Sequence, residues 1–237
     1  MHRLAADAES LLTIALTQEQ VDQFDLFLRE LVAWNAHTNL TAIIDPDGVR
    51  VRHFLDSLTV AKVIPLEAGV RVIDVGTGAG FPGIPLKIVY PQLEVTLLEA
   101  TGKKVNFLRH VAQVLGLSGI HFVNARAEEA GQMPEHRAAY DVVVARAVAR
   151  MPILMEYLLP LTKIGGVSIA MKGVTAHEET VTAKRALSTF GGQLRSIETF
   201  QLPNVEEPHN LVIVNKTAAT PALYPRYPGL PTQKPIR

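Results

Sequence analysis

The sequence predicts an α/β protein: a mostly parallel β-sheet with helices on both faces, an antiparallel edge, and a helical extension at the N-terminus. Three observations predict it. From residue 70 onward, short β-branched runs alternate with amphipathic stretches, the pattern of a parallel sheet with crossover helices. The last two apolar runs follow one another with no helix between them, which makes their pairing antiparallel. Residues 1–58 carry helical periodicity. A length of 237 residues suits one large domain with a small extension. The divisions fall at 1–64 for the helical extension, 65–216 for the α/β domain and 217–237 for an extended basic tail.

In chain order, Thr17 and Gln20 form a capping-box pair, followed by Val21, Phe24, Leu28, Leu31 and Val32 at helical spacing. That helix is expected to end near Trp34–Asn35. Asp45-Pro46-Asp47-Gly48 reads as a turn, and Val51 to Val63 as a further helix closed by Pro65. RVIDVG is the first strand, PLKIVY a helix, EVTLLEA the second strand, and KKVNFLRHVAQVLGL a helix stopped near Gly119. GIHFVNA and YDVVVARAV are the third and fourth strands. MPILMEYLLPLT is a helix, and a fifth strand, VSIAMKG, follows Gly165-Gly166. Residues 176–190 form one more helix, then QLRSIETF and HNLVIVNK close the sheet. The tail from Thr217 has five prolines, no acids and three basic residues (Arg226, Lys234, Arg237). It is expected to be extended and poorly packed unless something holds it.

Lys+Arg and Asp+Glu both number 23, which excludes a protein that coats nucleic acid by net charge alone. A local basic face is still allowed: Lys103 to Arg150 holds seven basic and four acidic residues, a net of 7 − 4 = +3. With no cysteine, disulfide scaffolds, Cys-ligated metal and thiol catalysis are excluded. No spacing of His and carboxylates forces a metal site. No apolar run approaches membrane-spanning length, and the N-terminal MHRLAADAESLLTIAL is not a secretory signal. A cytoplasmic protein is expected, and nothing demands more than a monomer.

The strongest chemical signal is Asp74-Val-Gly76-Thr-Gly78-Ala-Gly80-Phe81-Pro-Gly83, which follows a strand and opens a helix. Glycines let the backbone turn tightly and come close to a ligand, and a helix start suits an anionic group. Gly78, Gly80 and Gly83 also satisfy the dinucleotide pattern GxGxxG. Asp74 points away from that reading. The spacing Asp-x-Gly-x-Gly-x-Gly looks like motif I of S-adenosylmethionine (SAM) methyltransferases, whose ligand carries both a cation and a carboxylate. Glu99, ending the second strand 19 residues after Gly80, can accept from ribose hydroxyls. Ala127 and Glu128 follow the third strand, where backbone and carboxylate could meet an adenine edge. Arg146 ends the fourth strand, at the edge where open α/β sheets bind ligands.

Taken together these residues resemble the RsmG (GidB) family, bacterial methyltransferases of small-subunit ribosomal RNA. The resemblance runs from about Leu31 to the tail. It is carried by WNAHTNLT (34–41), RHFLDSL (52–58), DVGTGAGFPGIPL (74–86), LLEATGKKVNFL (97–108), NARAEE (124–129), YDVVVARAVA (140–149), Lys172-Gly173 and YPRYPGLPTQKPI (224–236). One departure is Glu207-Pro208-His209-Asn210, where relatives often have a basic residue. The resemblance implies a Rossmann-like SAM-dependent methyltransferase fold and methyl transfer from SAM to N7 of a guanine in the 530-loop region of 16S rRNA. It implies that Asp74, Gly76, Gly78, Gly80, Phe81, Glu99, Ala127, Glu128 and Arg146 bind the cofactor or frame its pocket. It also places Asn39, His53, Asp56 and Lys172 inside matched motifs as substrate-positioning residues. On residue type alone His53 reads first as a hydrogen-bonded structural histidine, Asn39 and Asp56 equally as caps or turn residues, and Lys172 as a phosphate contact.

Guanine N7 carries a lone pair and no proton, so it can attack a sulfonium methyl without a general base. Three rival readings exist. A nicotinamide oxidoreductase would use the GxGxxG pattern, but no YxxxK motif is present and the remaining chain is short. A SAM methyltransferase of a small molecule or protein would lack a use for the basic residues. A non-catalytic ribosome-binding module would lack a use for the cofactor loop.

Overall fold

The computed structural model describes residues 1–64 and 66–236. Two helices open the chain, α1 (His2–Leu12) and α2 (Gln18–Thr38). The capping box forms as the sequence predicts: Thr17 Oγ1 accepts from Gln20 N at 3.2 Å, and Gln20 Oε1 accepts from Thr17 N at 2.9 Å. The end of α2 lies beyond the expected Trp34–Asn35, at Thr38, with Asn39 in the left-handed region at φ +50°. The side chain of Asn35 bonds forward to Leu40 and Thr41 from inside the helix, so the polar residues there shape the exit rather than the stop.

Asp45–Gly48 is not a free turn. Asp45 caps α3 (Pro46–Val49), with its carboxylate accepting from Gly48 N and Pro46 in the first helical turn. The expected helix over 51–63 therefore starts earlier and is irregular. A π-helical turn (Arg50–Leu55) runs into α4 (Asp56–Leu58) and then a 3-10 turn (Thr59–Lys62). The proposed stop at Pro65 lies outside the described residues.

The sheet follows: β1 (Arg71–Val75), α5 (Gly83–Val89), β2 (Glu94–Leu98), α6 (Gly102–Val114), β3 (Ile120–Val123), α7 (Ala127–Ala130), β4 (Tyr140–Arg146), α8 (Met151–Leu158) and β5 (Thr162–Lys172). Then come α9 (Ala176–Thr182), α10 (Lys184–Thr189), β6 (Gly192–Phe200), β7 (His209–Lys216) and α11 (Leu230–Gln233). Three boundaries differ from expectation. Helix α6 stops at Gly116 (φ +66°), where Leu117 N reaches back to Ala112 O, not near Gly119. Strand β5 begins before Gly165-Gly166, which lie inside it opposite a register shift. The single helix expected over 176–190 is two, broken at Ala183.

The seven strands lie in the order β3-β2-β1-β4-β5-β7-β6. All pair in parallel except β7, which is antiparallel to both β5 and β6. Alternate residues of each strand feed two cores. Val72, Val95, Val142, Ile169 and Ile213 face one side, where α1, α2, the π-helical turn and α6 contribute Leu4, Phe24, Phe54 and Phe107. Ile73, Val143, Ala170 and Val212 face the other, against α8 and α10. The N-terminal helices thus share one core with the sheet.

The tail is held. Arg226 donates to the fully buried Glu156 from its backbone N (2.9 Å), Nε (2.8 Å) and Nη2 (2.6 Å). Arg137 donates to the carbonyls of Tyr224 (2.7 Å) and Thr220 (2.9 Å). Two of the basic residues counted toward an RNA-facing surface, Arg137 and Arg226, are therefore internal fasteners. No helix among the described residues is long and apolar enough to cross a membrane.

Candidate functional site

The carboxyl ends of β1, β2, β3, β4 and β5 deliver Gly76, Glu99, Ala127, Arg146 and Lys172 to one edge of the sheet. The order changes direction at β1, with β2 on one side and β4 on the other, and ligand crevices of open α/β sheets form at such points. After β1 the chain takes φ +68° at Gly76, +61° at Gly78 and +95° at Gly80. A Cβ at Gly76 would lie 2.8 Å from Val148 Cγ2, whereas at Gly78 it would meet only the Gly76 carbonyl at 4.0 Å. The loop is fixed on its inner side and open on its outer side.

Asp74 is fully buried beneath this loop. Its Oδ2 accepts from Thr77 Oγ1 at 2.5 Å and Gly83 N at 2.8 Å, while Oδ1 has no partner among the described residues. Burial raises its pKa to about 6, against the opposing pull of those two hydrogen bonds and of Arg146. Glu99 is 7% exposed and accepts from Gly78 N (3.1 Å) and Thr101 N (2.8 Å), one bond to each oxygen. Each oxygen keeps a second lone pair for a hydroxyl. An open glycine cradle, an orphaned buried carboxylate oxygen and an acceptor at the next strand end fit a cationic, ribose-bearing ligand such as SAM.

Beyond the loop lies a cavity of about 430 Å³, bounded by His53, Asp56, Arg146, Lys172, His209 and their neighbours. Arg146 joins the two regions. Its guanidinium lies 4.9 Å from the Phe81 ring centre and donates to Arg52 O (2.8 Å), Asp56 Oδ2 (3.1 Å) and His53 Nδ1 (3.2 Å). Ala147, which follows it, takes φ +57°, a strained backbone that turns the chain at the cavity wall. His53 stacks on Phe81 at 4.6 Å between centres and meets Thr41 Oγ1 through Nε2 at 2.8 Å. Burial first, and the Arg146 charge second, lower its pKa to about 4, so the ring is neutral near pH 7. Nδ1 also lies 3.1 Å from Arg52 O: a hydrogen on Nε2 lets Nδ1 accept from Arg146 while Nε2 donates to Thr41, and a hydrogen on Nδ1 lets it donate to Arg52 O while Nε2 accepts from Thr41.

The structure thus brings together Asp74, Gly76, Gly78, Gly80, Phe81, Glu99 and Arg146, and sets His53 and Asp56 against Arg146. Three expectations need correction. Asn39 is an exposed αL cap and does not line the cavity. Lys172 is not a free phosphate ligand: Nζ donates to Glu179 Oε2 (2.7 Å) and Ala149 O (2.6 Å). The Glu128 carboxylate turns to the tail and accepts from Gly229 N at 3.0 Å, so only the backbone of Ala127 and Glu128 is left to meet an adenine.

Sequence reading missed Thr41, Glu179 and the pairing of His209 Nδ1 with Asp56 Oδ1 at 2.8 Å. Thr41 lay inside a matched motif. His209 was legible only as a departure, because its partner is 153 residues away in sequence.

A family model described as GidB, rRNA small subunit methyltransferase G, matches residues 20–209. The chain is 47% identical over 222 residues to the ribosomal RNA small subunit methyltransferase G of Halalkalibacterium halodurans, spanning 94% of this chain and 93% of that one. It is 46% identical over 223 residues to the protein of the same name from Bacillus cytotoxicus, again 94% and 93%. Among solved structures it resembles TrmN from Thermus thermophilus (TM-score 0.53, 20% identity, 70% of this chain and 53% of that one). It also resembles M. jannaschii TYW2 in complex with AdoMet (TM-score 0.54, 15% identity, 73% and 77%). These two structural likenesses show the methyltransferase fold.

Proposed function

We propose that this chain, which belongs to the rRNA small subunit methyltransferase G family, transfers the methyl group of SAM to N7 of a guanine in the 530-loop region of 16S rRNA. The family makes it an enzyme that methylates small-subunit rRNA; SAM as donor, the base and the position are the proposal. The observation that carries it is the junction at Phe81 and Arg146, where an open glycine cradle meets a base-sized cavity.

When bound, SAM supplies an electrophilic methyl on a sulfonium. The cradle of Gly76, Gly78 and Gly80, with Asp74 beneath it, Glu99 at the ribose, the Ala127–Glu128 backbone at the adenine and Arg146 at the far wall, holds it. The cavity side positions the guanine and excludes water. No proton need leave N7, so the reaction calls for no base in the cavity. His53 has both ring nitrogens engaged, and both Asp56 oxygens are bonded. Their task is to fix Arg146 and the cavity wall. Asp56 and Asp74 also place negative charge near a purine that becomes cationic. The exposed Lys103, Arg109, Arg126, Arg150 and Lys234 are among the cations available to meet phosphates. A cytoplasmic monomer suffices for this work.

The test is methyl transfer from labelled SAM to small subunits taken from cells lacking the modification, with the product base mapped. One N7-methylguanine in the 530-loop region is the expected result. Transfer elsewhere on the rRNA would overturn the position, and SAM binding without any transfer to RNA would overturn the substrate.

A further inference from the structure

We propose that the C-terminal tail positions the adenine half of the cofactor site: Gly229 N–H, acting through the Glu128 carboxylate, sets the Ala127–Glu128 backbone against the adenine ring. The inference rests on the SAM reading above. It makes Gly229 and the Glu128 side chain positioning groups that do not themselves touch the ligand. The segment that carries this backbone has little to hold itself with. Strand β3 is an edge of the sheet, four residues long and paired with β2 alone. Helix α7 after it is also four residues, too short to persist without tertiary support. Asn124 ties the end of β3 to the carbonyls of Glu99 (2.9 Å) and Ala100 (3.0 Å), next to the proposed ribose site. On its other side α7 is fastened by the tail.

At the far end of α7, Pro225 packs so closely that a Cβ on Gly131 would lie 2.7 Å from its Cγ. Gln132 Nε2 donates to Pro225 O at 2.8 Å, and Arg137 Nη1 bridges Gly131 O (2.8 Å) and Tyr224 O (2.7 Å). The near end of α7, where the adenine is proposed to lie, has a single tie to the tail. Gly229 takes φ +88° and donates from N to Glu128 Oε1 at 3.0 Å. Glu128 is 4% exposed, so a carboxylate that lost this donor would find little water in its place. The bond therefore resists any turn of the Ala127–Glu128 peptide that carries the side chain away. Gly229 is itself anchored on both sides by α8. Three residues before it Arg226 grips Glu156, and three residues after it Thr232 Oγ1 lies 3.3 Å from Tyr157 Oη. The tail thus carries the rigidity of α8 across to a backbone that neither β3 nor α7 can fix alone.

The experiment measures recognition of the adenine edge. Binding of S-adenosylhomocysteine and S-inosylhomocysteine is followed by calorimetry. Hypoxanthine, in the second ligand, reverses the donor and acceptor that adenine offers at N1 and the 6-position. The wild type is expected to prefer the adenine compound by about 100-fold, the worth of two mismatched hydrogen bonds. Replacing Gly229 by glycolic acid, through an ester in the full chain, removes the one N–H and leaves the rest of the tail. That chain is expected to prefer adenine by about 10-fold or less. Glu128→Leu, which removes the acceptor, is expected to do the same, and Glu128→Gln, which keeps an acceptor for Gly229, to restore the preference. The two losses combined are expected to cost no more than either alone, because both cut one connection. A tail that only stabilises the fold would leave the ratio between the two ligands unchanged. If the ester chain does not fold, Glu128→Leu against Glu128→Gln carries the test. Full preference in the ester chain or in Glu128→Leu overturns the inference, as do losses that add. So does a wild type that binds both ligands alike. A folded wild type that binds neither ligand overturns the SAM reading itself, a result visible before any variant is compared.

Discussion

Gly76 and Arg146 set the two limits of the site. Gly76 has φ +68° and no room for a methyl group, since a Cβ would come within 2.8 Å of Val148 Cγ2. Gly76→Ala is expected to cost about 1–3 kcal/mol in folding stability and to weaken SAM binding, read by denaturant unfolding and calorimetry. Unchanged SAM affinity would show that the loop does not carry the cofactor. Arg146 donates to three acceptors on or beside the π-helical turn, from a planar fork that a lysine cannot reproduce. Arg146→Lys loses about two of those bonds, so methyl transfer is expected to fall about 100-fold. A rate within a few-fold of wild type would mean that the charge alone suffices.

At the scale of elements, the tail is the part whose structure its composition least reveals. Five prolines and no acids describe an extended segment, yet Arg226 neutralises Glu156, a carboxylate with no exposure at all. Arg226→Ala leaves that charge buried and alone, and is expected to destabilise the protein by about 3–5 kcal/mol. Glu156→Gln in the same chain should recover part of the loss, since the buried charge is then gone. Denaturant unfolding of the single and double variants checks this, and equal stability of the two would refute it. The existence and order of the strands, by contrast, were legible, because β-branched runs alternating with amphipathic stretches have one reading, although the start of β5 was missed because Gly165 and Gly166 lie inside it. The capping box was legible because both partners lie within one turn. The start of α3, the π-helical turn and the break at Ala183 were not. Those depend on how Arg50–Leu55 and Ala176–Phe190 pack against distant elements, and propensity yields to tertiary contact there. The glycine loop and its strand-end partners could be read for the same reason as the strands. Of the cavity wall, His53, Asp56, Lys172 and Arg146 could be named through the matched motifs, but their pairings could not, because Asp56 meets His209 and Arg146 only once the N-terminal helices dock on the sheet.

Across the whole molecule, two buried titratable groups on either side of Arg146 bias folding in opposite directions with pH. His53 has its pKa lowered from 6.5 to about 4. Between those values the unfolded chain binds the proton that the folded chain refuses, so stability falls as pH drops from about 6.5 to 4. The loss is about 3 kcal/mol in full. Asp74 has its pKa raised from 3.8 to about 6. Over that window the folded chain binds the proton more readily, so stability rises as pH drops, by about 3 kcal/mol. The contributions of the two groups nearly cancel between pH 4 and 6, and each should emerge when the other is removed. Asp74→Asn is expected to lose stability on acidification relative to wild type, and His53→Gln to gain it. Urea unfolding at pH 4, 5, 6 and 7 measures both differences; curves parallel to wild type would show that neither group is buried in the charge state assigned to it. The opposition has a functional side. At neutral pH the site holds an ionised Asp74 and an uncharged His53 around one permanent cation. The fold bears the cost of keeping Asp74 charged where a cationic methyl donor is proposed to bind, so SAM is expected to bind more weakly as pH falls through about 6, while Asp74→Asn loses that dependence.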